Sequence, residues 1–234
     1  MAKKKRLTRK QLLKEPDEFL TFSAKAIRFG AENRKPISYA LIALIVVVLA
    51  IALFRYFSNL SERKAYGVLE QGLVHYMGQA SGEQSPHFQE RAREAFAELL
   101  RRYPSTRAAE LSLPLYGDIS YGDGAYDEAI KLYQRALEVL SEDDTLQRLI
   151  WNALAYAYEG KKDYSTAAQY FKKITDSEGT FLKADAYFNL GRMYEAMDNQ
   201  EGARQAYEAV VKDYPGAVNF QVAKEKLERL KGQG

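Results

Sequence analysis

Residues Leu190–Pro215 read LGRMYEAMDNQEGARQAYEAVVKDYP. A glycine interrupts the first apolar run, tyrosines recur, and alanines stand where larger side chains would fit. Asp198 and Asn199 divide the stretch, and such residues favour turns and helix starts. Neither half alternates in the manner of a strand, so the stretch predicts two helices in a hairpin. Helices approach closely only where one side chain at the crossing is small. Gly191 and Ala203 meet that need, and Tyr194 and Tyr207 fill the groove beside them.

The pattern recurs upstream. Ala92, Ala129, Ala167 and Ala203 lie 37, 38 and 36 residues apart, and an aromatic follows each four positions on: Phe96, Tyr133, Phe171 and Tyr207. Twelve positions before the last three alanines stand Gly117, Ala155 and Gly191. Tyr158 and Tyr194 follow two of these by three residues, Leu154 and Leu190 precede them, and Trp151 and Tyr187 come three earlier still. Pro104 and Pro215 close the first and fourth copies. The first copy is degenerate, with SGEQSPH lengthening the loop between its helices. One hairpin leaves a face bare, so repeats must stack and the end needs a cap. The final segment, VNFQVAKEKLERLKGQG, suits the cap, with Phe220, Ala223, Leu227 and Leu230 directed inward and Lys224, Glu225, Glu228 and Arg229 towards water.

This spacing resembles the tetratricopeptide repeat, W-x2-L-G-x2-Y followed by A-x3-F and P. The resemblance covers roughly residues 62–215 and implies an all-α solenoid of about four helix pairs plus a C-terminal capping helix. It also implies a concave groove for protein or peptide partners. The groove positions fall on Asp118 and Tyr121, on Asn152, Tyr156 and Glu159, and on Phe188, Arg192 and Glu195. The Lys/Asn/Arg set that clamps a peptide carboxylate in chaperone-docking members is not reproduced.

A second feature lies near the N-terminus. Ile37–Phe57 reads ISYALIALIVVVLAIALFRYF, uncharged until Arg55. The 18 residues to Phe54 span about 27 Å as a helix, close to the ~30 Å hydrocarbon core of a bilayer. With no polar face to turn towards water, the run reads as a transmembrane helix. Bulky Phe54, Tyr56 and Phe57 follow it where a signal peptide would carry small residues, so the anchor is expected to stay uncleaved. Residues 1–36 hold eleven Lys/Arg against four Asp/Glu, while residues 58–234 hold 22 against 27. The positive flank favours a cytoplasmic N-terminus and an exported C-terminal part. Three domains are therefore expected: a basic segment at 1–36, the membrane helix at 37–57 and the repeats at 58–234.

Within the first segment, MAKKKRLTRK is expected to meet anionic lipid headgroups rather than nucleic acid. DEFLTFSAKAIRFGAENRK reads as an amphipathic helix starting near Asp17 and ending at Gly30 or Pro36. Its Phe19, Leu20, Phe22, Ala26, Ile27 and Phe29 oppose Thr21, Lys25, Arg28 and Glu32. Such a helix suits either the headgroup layer or a membrane-embedded partner.

Chemistry is sparse. The absence of cysteine excludes disulfides, thiolate zinc sites and cysteine nucleophiles. His75 and His87 are the only histidines, and their spacing matches no metal or nucleophile arrangement. His75 is expected in the packing of the first repeat and His87 in a loop or helix start. No phosphate-binding or dinucleotide motif is present, so neither enzyme activity nor a cofactor is expected. Domain order and repeats together resemble a bacterial inner-membrane family of YfgM-like proteins. These are ancillary to the Sec translocon and associated with periplasmic chaperone traffic. That resemblance implies a single-pass membrane scaffold. The alternatives are a receptor presenting repeats to the cytosol for import, or a regulatory subunit of an envelope enzyme.

Overall fold

The computed structural model describes residues 18–80 and 86–232. Among them are ten helices and no strand. The MAKKKRLTRK cluster and Asp17 lie outside the described residues, as do the side chains of Phe19, Leu20 and Thr21. By contact density the chain divides into two compact units, 1–59 and 60–234.

The first unit holds α1 (Glu18–Glu32) and the opening part of α2 (Arg34–Ala80). Gly30 and Pro36 were expected to mark the end of α1, and the helix stops between them at Glu32, with only Asn33 separating it from α2. Pro36 falls in the first turn of α2, where its missing N–H has no helical partner to lose. The helical ladder resumes with Ile37 N donating to Asn33 O at 3.0 Å. Phe22, Ile27 and Phe29 on α1 are exposed, and so is every large apolar side chain from Leu41 to Phe57 on α2. That part of α2 is long and apolar enough to cross a membrane. The helix is unbroken at Ser58–Ser61.

In the second unit, the end of α2 pairs with α3 (Pro86–Arg102), α4 (Arg107–Gly122) with α5 (Tyr126–Leu140), and α6 (Asp144–Gly160) with α7 (Tyr164–Asp176). The fourth pair is α8 (Lys183–Ala196) with α9 (Gln200–Asp213), and α10 (Phe220–Lys231) follows as the cap. Side-chain caps start several of these helices. Thr106, Asp143, Asp163 and Asn199 each accept backbone N–H groups of the first turn.

The crossings inside the pairs explain the small residues. A Cβ built on Gly117 would stand 2.5 Å from the Tyr133 ring, and one on Gly191 would stand 2.5 Å from Tyr207. In the third pair Ala155 takes that place beside buried Phe171. The first pair uses Gly72, whose Cβ would meet Phe96 at 2.5 Å. Sequence reading missed Gly72 because the lengthened loop moves it from twelve to twenty residues before Ala92. Ala92, Ala129, Ala167 and Ala203 have no exposed surface, and Leu154 is equally buried. Trp151, Tyr158 and Tyr194 are half-buried and pack at the edges of the same clusters. Ala223 and Leu227 of α10 close the last cluster, with Leu230 beside them. His75 packs against Phe88 at 5.9 Å between ring centres, whereas His87 is exposed in the first turn of α3.

The turns within pairs repeat a second device. Gly124, Lys162 and Asp198 occupy equivalent turn positions and all have positive φ, at 75°, 63° and 58°. Only glycine adopts that conformation without cost, which for other residues is about 1 kcal/mol. Two changes test these readings by denaturant unfolding of the full chain in detergent. Gly191→Leu gains about 1 kcal/mol of helix propensity but overpacks the Tyr207 contact by on the order of 3 kcal/mol, so the midpoint should fall. Lys162→Gly relieves turn strain and should leave the midpoint unchanged or raise it by up to about 0.5 kcal/mol, the strain slightly exceeding the lost chain stiffness.

Candidate functional site

The first helices of successive pairs, α4, α6 and α8, carry the eight expected groove residues. Between α4 and α6 opens a cavity of about 420 Å³, to which Asp118, Tyr121, Asn152 and Tyr156 all contribute. Its apolar walls are Pro114, Leu115, Leu146, Leu149, Ile150 and Ala153, and Tyr133 contributes at its base. Sequence reading missed Pro114 and Leu149. The signal was available, because Pro114 precedes Gly117 by three residues as Asn152 precedes Ala155 and Phe188 precedes Gly191. Leu149 precedes Ala155 by six, the place Asp185 holds before Gly191.

Asp118 lies on the exposed side of α4, yet protein surrounds it closely enough to push its carboxyl above the usual range. Two hydroxyls pull the other way. Tyr133 donates to Oδ1 at 2.7 Å and Tyr76 to Oδ2 at 3.1 Å. Burial and the neighbouring carboxylate raise the Tyr76 phenol to about 12 and move Tyr133 upward as well. Both tyrosines therefore remain donors through neutral pH, and they tie α2, α4 and α5 to one carboxylate. Asn152, half-buried on α6, makes none of these bonds.

Glu159, Phe188, Arg192 and Glu195 do not line this cavity. Tyr156 accepts from Asn189 Nδ2 at 2.8 Å, and Arg192 donates to Asn189 Oδ1 at 2.7 Å and to Glu159 Oε1 at 2.6 Å. This chain locks α6 to α8, and buried Asn189 at its centre was not foreseen. Phe188 packs its ring 5.8 Å from that of Tyr207. Glu195 accepts from the Tyr207 hydroxyl at 2.6 Å, from Lys226 Nζ at 2.5 Å and from Arg229 at 2.6 Å. Burial alone would raise the Glu195 carboxyl, but these donors outweigh it and the net shift is downward. Glu195 thus fastens the cap α10 to the last pair, a role the groove alignment did not anticipate.

The sign of each shift fixes a pH response. Glu195, lowered in the folded protein, contributes stability that is complete above pH ~4.5 and is lost as pH falls through its folded pKa. Asp118, raised, acts in the opposite sense and costs stability as pH rises through its own folded pKa. Glu195→Ala should therefore cost about 2 kcal/mol at pH 7 and less at pH 3. Amide exchange should quicken throughout α10 while α4–α6 stay protected. Asp118→Asn should shift the midpoint by less than 1 kcal/mol at pH 7, since the tyrosine hydroxyls keep a partner.

Among the described residues, no group of His, Cys, Asp and Glu could hold a metal ion. Two tetratricopeptide-repeat family models match the chain, over residues 107–177 and 185–217. Comparison with curated proteins gives no match. Solved structures of similar fold include MamA, at 21% identity and TM-score 0.54, covering 68% of this chain and 83% of that one. A tetratricopeptide repeat protein from Parabacteroides merdae is 18% identical with TM-score 0.59, over 73% of this chain and 61% of its own. Repeats of a fungal kinesin light chain-like protein match at 17% identity and TM-score 0.56, over 70% of this chain and 86% of theirs. Helix pairing, packing code and family matches converge, and the second unit has the tetratricopeptide-repeat solenoid fold, with the matched repeats at residues 107–177 and 185–217.

Proposed function

We propose that the chain is a non-enzymatic scaffold of the bacterial inner membrane. In this reading Ile37–Phe57 crosses the bilayer, residues 1–36 remain in the cytoplasm against anionic headgroups, and residues 58–234 stand in the periplasm. The first helices of the repeats bind protein partners there, linking the Sec translocon to envelope chaperones. The observation that carries the proposal is the conjunction of two exposed surfaces on one chain. One is a helix whose apolar residues from Leu41 to Phe57 have no protein cover, a surface that water penalises and lipid does not. The other is the open, mostly apolar cavity between α4 and α6, the kind of concave site that repeat solenoids present to partners.

The charge difference between 1–36 and 58–234 supports the orientation. The exposed face of α1, with Phe22, Ile27 and Phe29 on one side and the Arg28–Glu32 ion pair on the other, suits the headgroup layer beside the span. The structure also redirects where partners should be sought. Tyr156 is engaged with Asn189, Glu159 with Arg192 and Glu195 with the cap, whereas Tyr121, Asn152 and Leu149 keep free surface at the cavity.

Two measurements test this. Protease added to intact spheroplasts should degrade residues 58–234, and protection of that part would place the repeats in the cytosol instead. A photo-crosslinking residue at Tyr121 or Leu149 should capture a translocon or chaperone component in living cells, while one at exposed Glu208 on α9 should not. Equal capture at both positions would remove the groove from the proposal.

A further inference from the structure

The cavity has an electrostatic character that selects among partners. Among the described residues, Asp118 is the only charged one that lines it. Among the described residues, no Lys, Arg or His stands within ion-pair distance of Asp118, although the neighbouring groove carboxylates do have cations. Glu159 has Arg192, and Glu195 has both Lys226 and Arg229. The partners of Asp118 are two neutral hydroxyls, each leaving its carboxylate oxygen a second acceptor site. On α8 a second carboxylate, Asp185, is hydrogen-bonded by Asn219 at 2.9 Å, and its charge reaches the Tyr156 hydroxyl at the cavity, where the charge of Arg192 opposes it. The field at Asp118 itself is therefore negative, with no cation among the described residues beside it. Protein packed around Asp118 strengthens that field relative to open water.

The rest of the lining fits a cation on a long apolar stem. Leu146 and half-exposed Leu149 on α6 face Pro114 and Leu115 across the opening. An aliphatic stem can lie along such walls while its charged end reaches the carboxylate. The Tyr121 ring, 37% exposed at the rim, offers a face to a guanidinium or ammonium group. Asn152, which hydrogen-bonds to no side chain among the described residues, adds a donor and an acceptor beside the same opening. An acidic segment would meet like charge on apolar walls, and a purely apolar one would leave Asp118 desolvated without gain.

We propose that the α4–α6 cavity binds an extended protein segment through one arginine or lysine. The basic head would pair with Asp118, and the stem, with an adjacent apolar residue, would fill the Pro114–Leu115–Leu146–Leu149 walls. The proposal rests on the groove reading above and adds the chemistry of its partner. It is the reverse of a carboxylate clamp, because here the groove supplies the anion and the partner the cation.

The test uses the full chain in lipid nanodiscs and an immobilised positional-scanning array of decapeptides. Arginine or lysine next to Leu, Ile or Phe should be the dominant selected pattern. For the best peptide in solution, replacing the basic residue by neutral citrulline or norleucine should weaken binding at least tenfold, and replacing it by glutamate should abolish it. Asp118→Asn should erase the difference between the basic and neutral peptides without weakening the neutral one, and its unchanged circular dichroism melt would show that the fold survives. Leu149→Glu should weaken every peptide. Selection of acidic or uncharged sequences overturns the cation proposal, as does a basic preference that survives Asp118→Asn. If binding is charge-indifferent but lost in Leu149→Glu, the groove reading stands and the inference fails. If no peptide binds at all, both fail.

Discussion

Everything in the second unit depends on a contact between a residue with little or no side chain and an aromatic ring. At Gly72, Gly117 and Gly191 the ring of Phe96, Tyr133 or Tyr207 occupies space where a Cβ would stand at 2.5 Å. That closeness sets the separation of the two helices in each pair and buries the ring completely or nearly so. A buried aromatic contributes large apolar area at a fixed orientation, so each pair becomes a rigid plank. Planks of equal thickness stack, and the stacking presents their first helices in register along one surface. A site spread over α4 and α6 therefore exists only because the crossings inside each pair are tight.

Two of the four rings are tyrosines, and their hydroxyls extend the same contact into the groove. Tyr133 reaches Asp118 and Tyr207 reaches Glu195, whereas Phe96 and Phe171 have no hydroxyl to offer. The packing ring thus positions a carboxylate on the opposite helix of its own pair. What happens to that carboxylate next differs between the two ends of the solenoid. At the C-terminal end Lys226 and Arg229 of the cap neutralise Glu195, so the charge serves stability. In the second pair no cation arrives, and Asp118 remains available in a cavity. One structural device therefore gives a fastening at one place and, in the proposed reading, a recognition element at another, according to what packs against it.

This contrast explains what was legible in the sequence. Small residues and aromatics recur at a fixed spacing because each pair must meet the same steric condition, so Gly117, Gly191, Tyr133 and Tyr207 could be read from one chain. The apolar run at Ile37–Phe57 was legible for a similar reason, since composition alone decides whether a helix face can tolerate water. Gly72 escaped because a longer loop breaks the spacing while leaving the geometry intact. The end of α1 falls at Glu32, between the two expected markers, because Gly30 only weakens a helix and Pro36 fits the first turn of the next. The groove was only partly legible. Alignment gives the side of the helix a residue faces, but it does not show whether a neighbour from another repeat has already claimed its polar atoms. Arg192 and Glu195, both expected in the groove, are spent on Glu159, Asn189 and the cap.

Long-range partners of this kind separate a surface that binds from a surface that merely faces water. The links from Tyr156 to Asn189 and from Glu159 to Arg192 each span 33 residues, close to one repeat. They are repeat-to-repeat bonds that sum along the array and resist its bending. Removing either would loosen the α6–α8 spacing, so an effect on binding from these residues is not by itself evidence of contact with a partner. Between α4 and α6 the polar atoms of Asn152 are uncommitted and the walls are apolar, so the spacing there is held by hydrophobic packing beneath the cavity. Leu154, Ile150, Tyr133 and Leu113 form that support and are almost entirely buried. A ligand entering the cavity therefore has no internal hydrogen bond to displace from Asn152 and no ion pair to break at Asp118. Occupation of the same kind at Arg192 would first have to break its bonds to Glu159 and Asn189. On that ground, and not on alignment alone, the proposed binding site falls on the second and third repeats rather than the fourth.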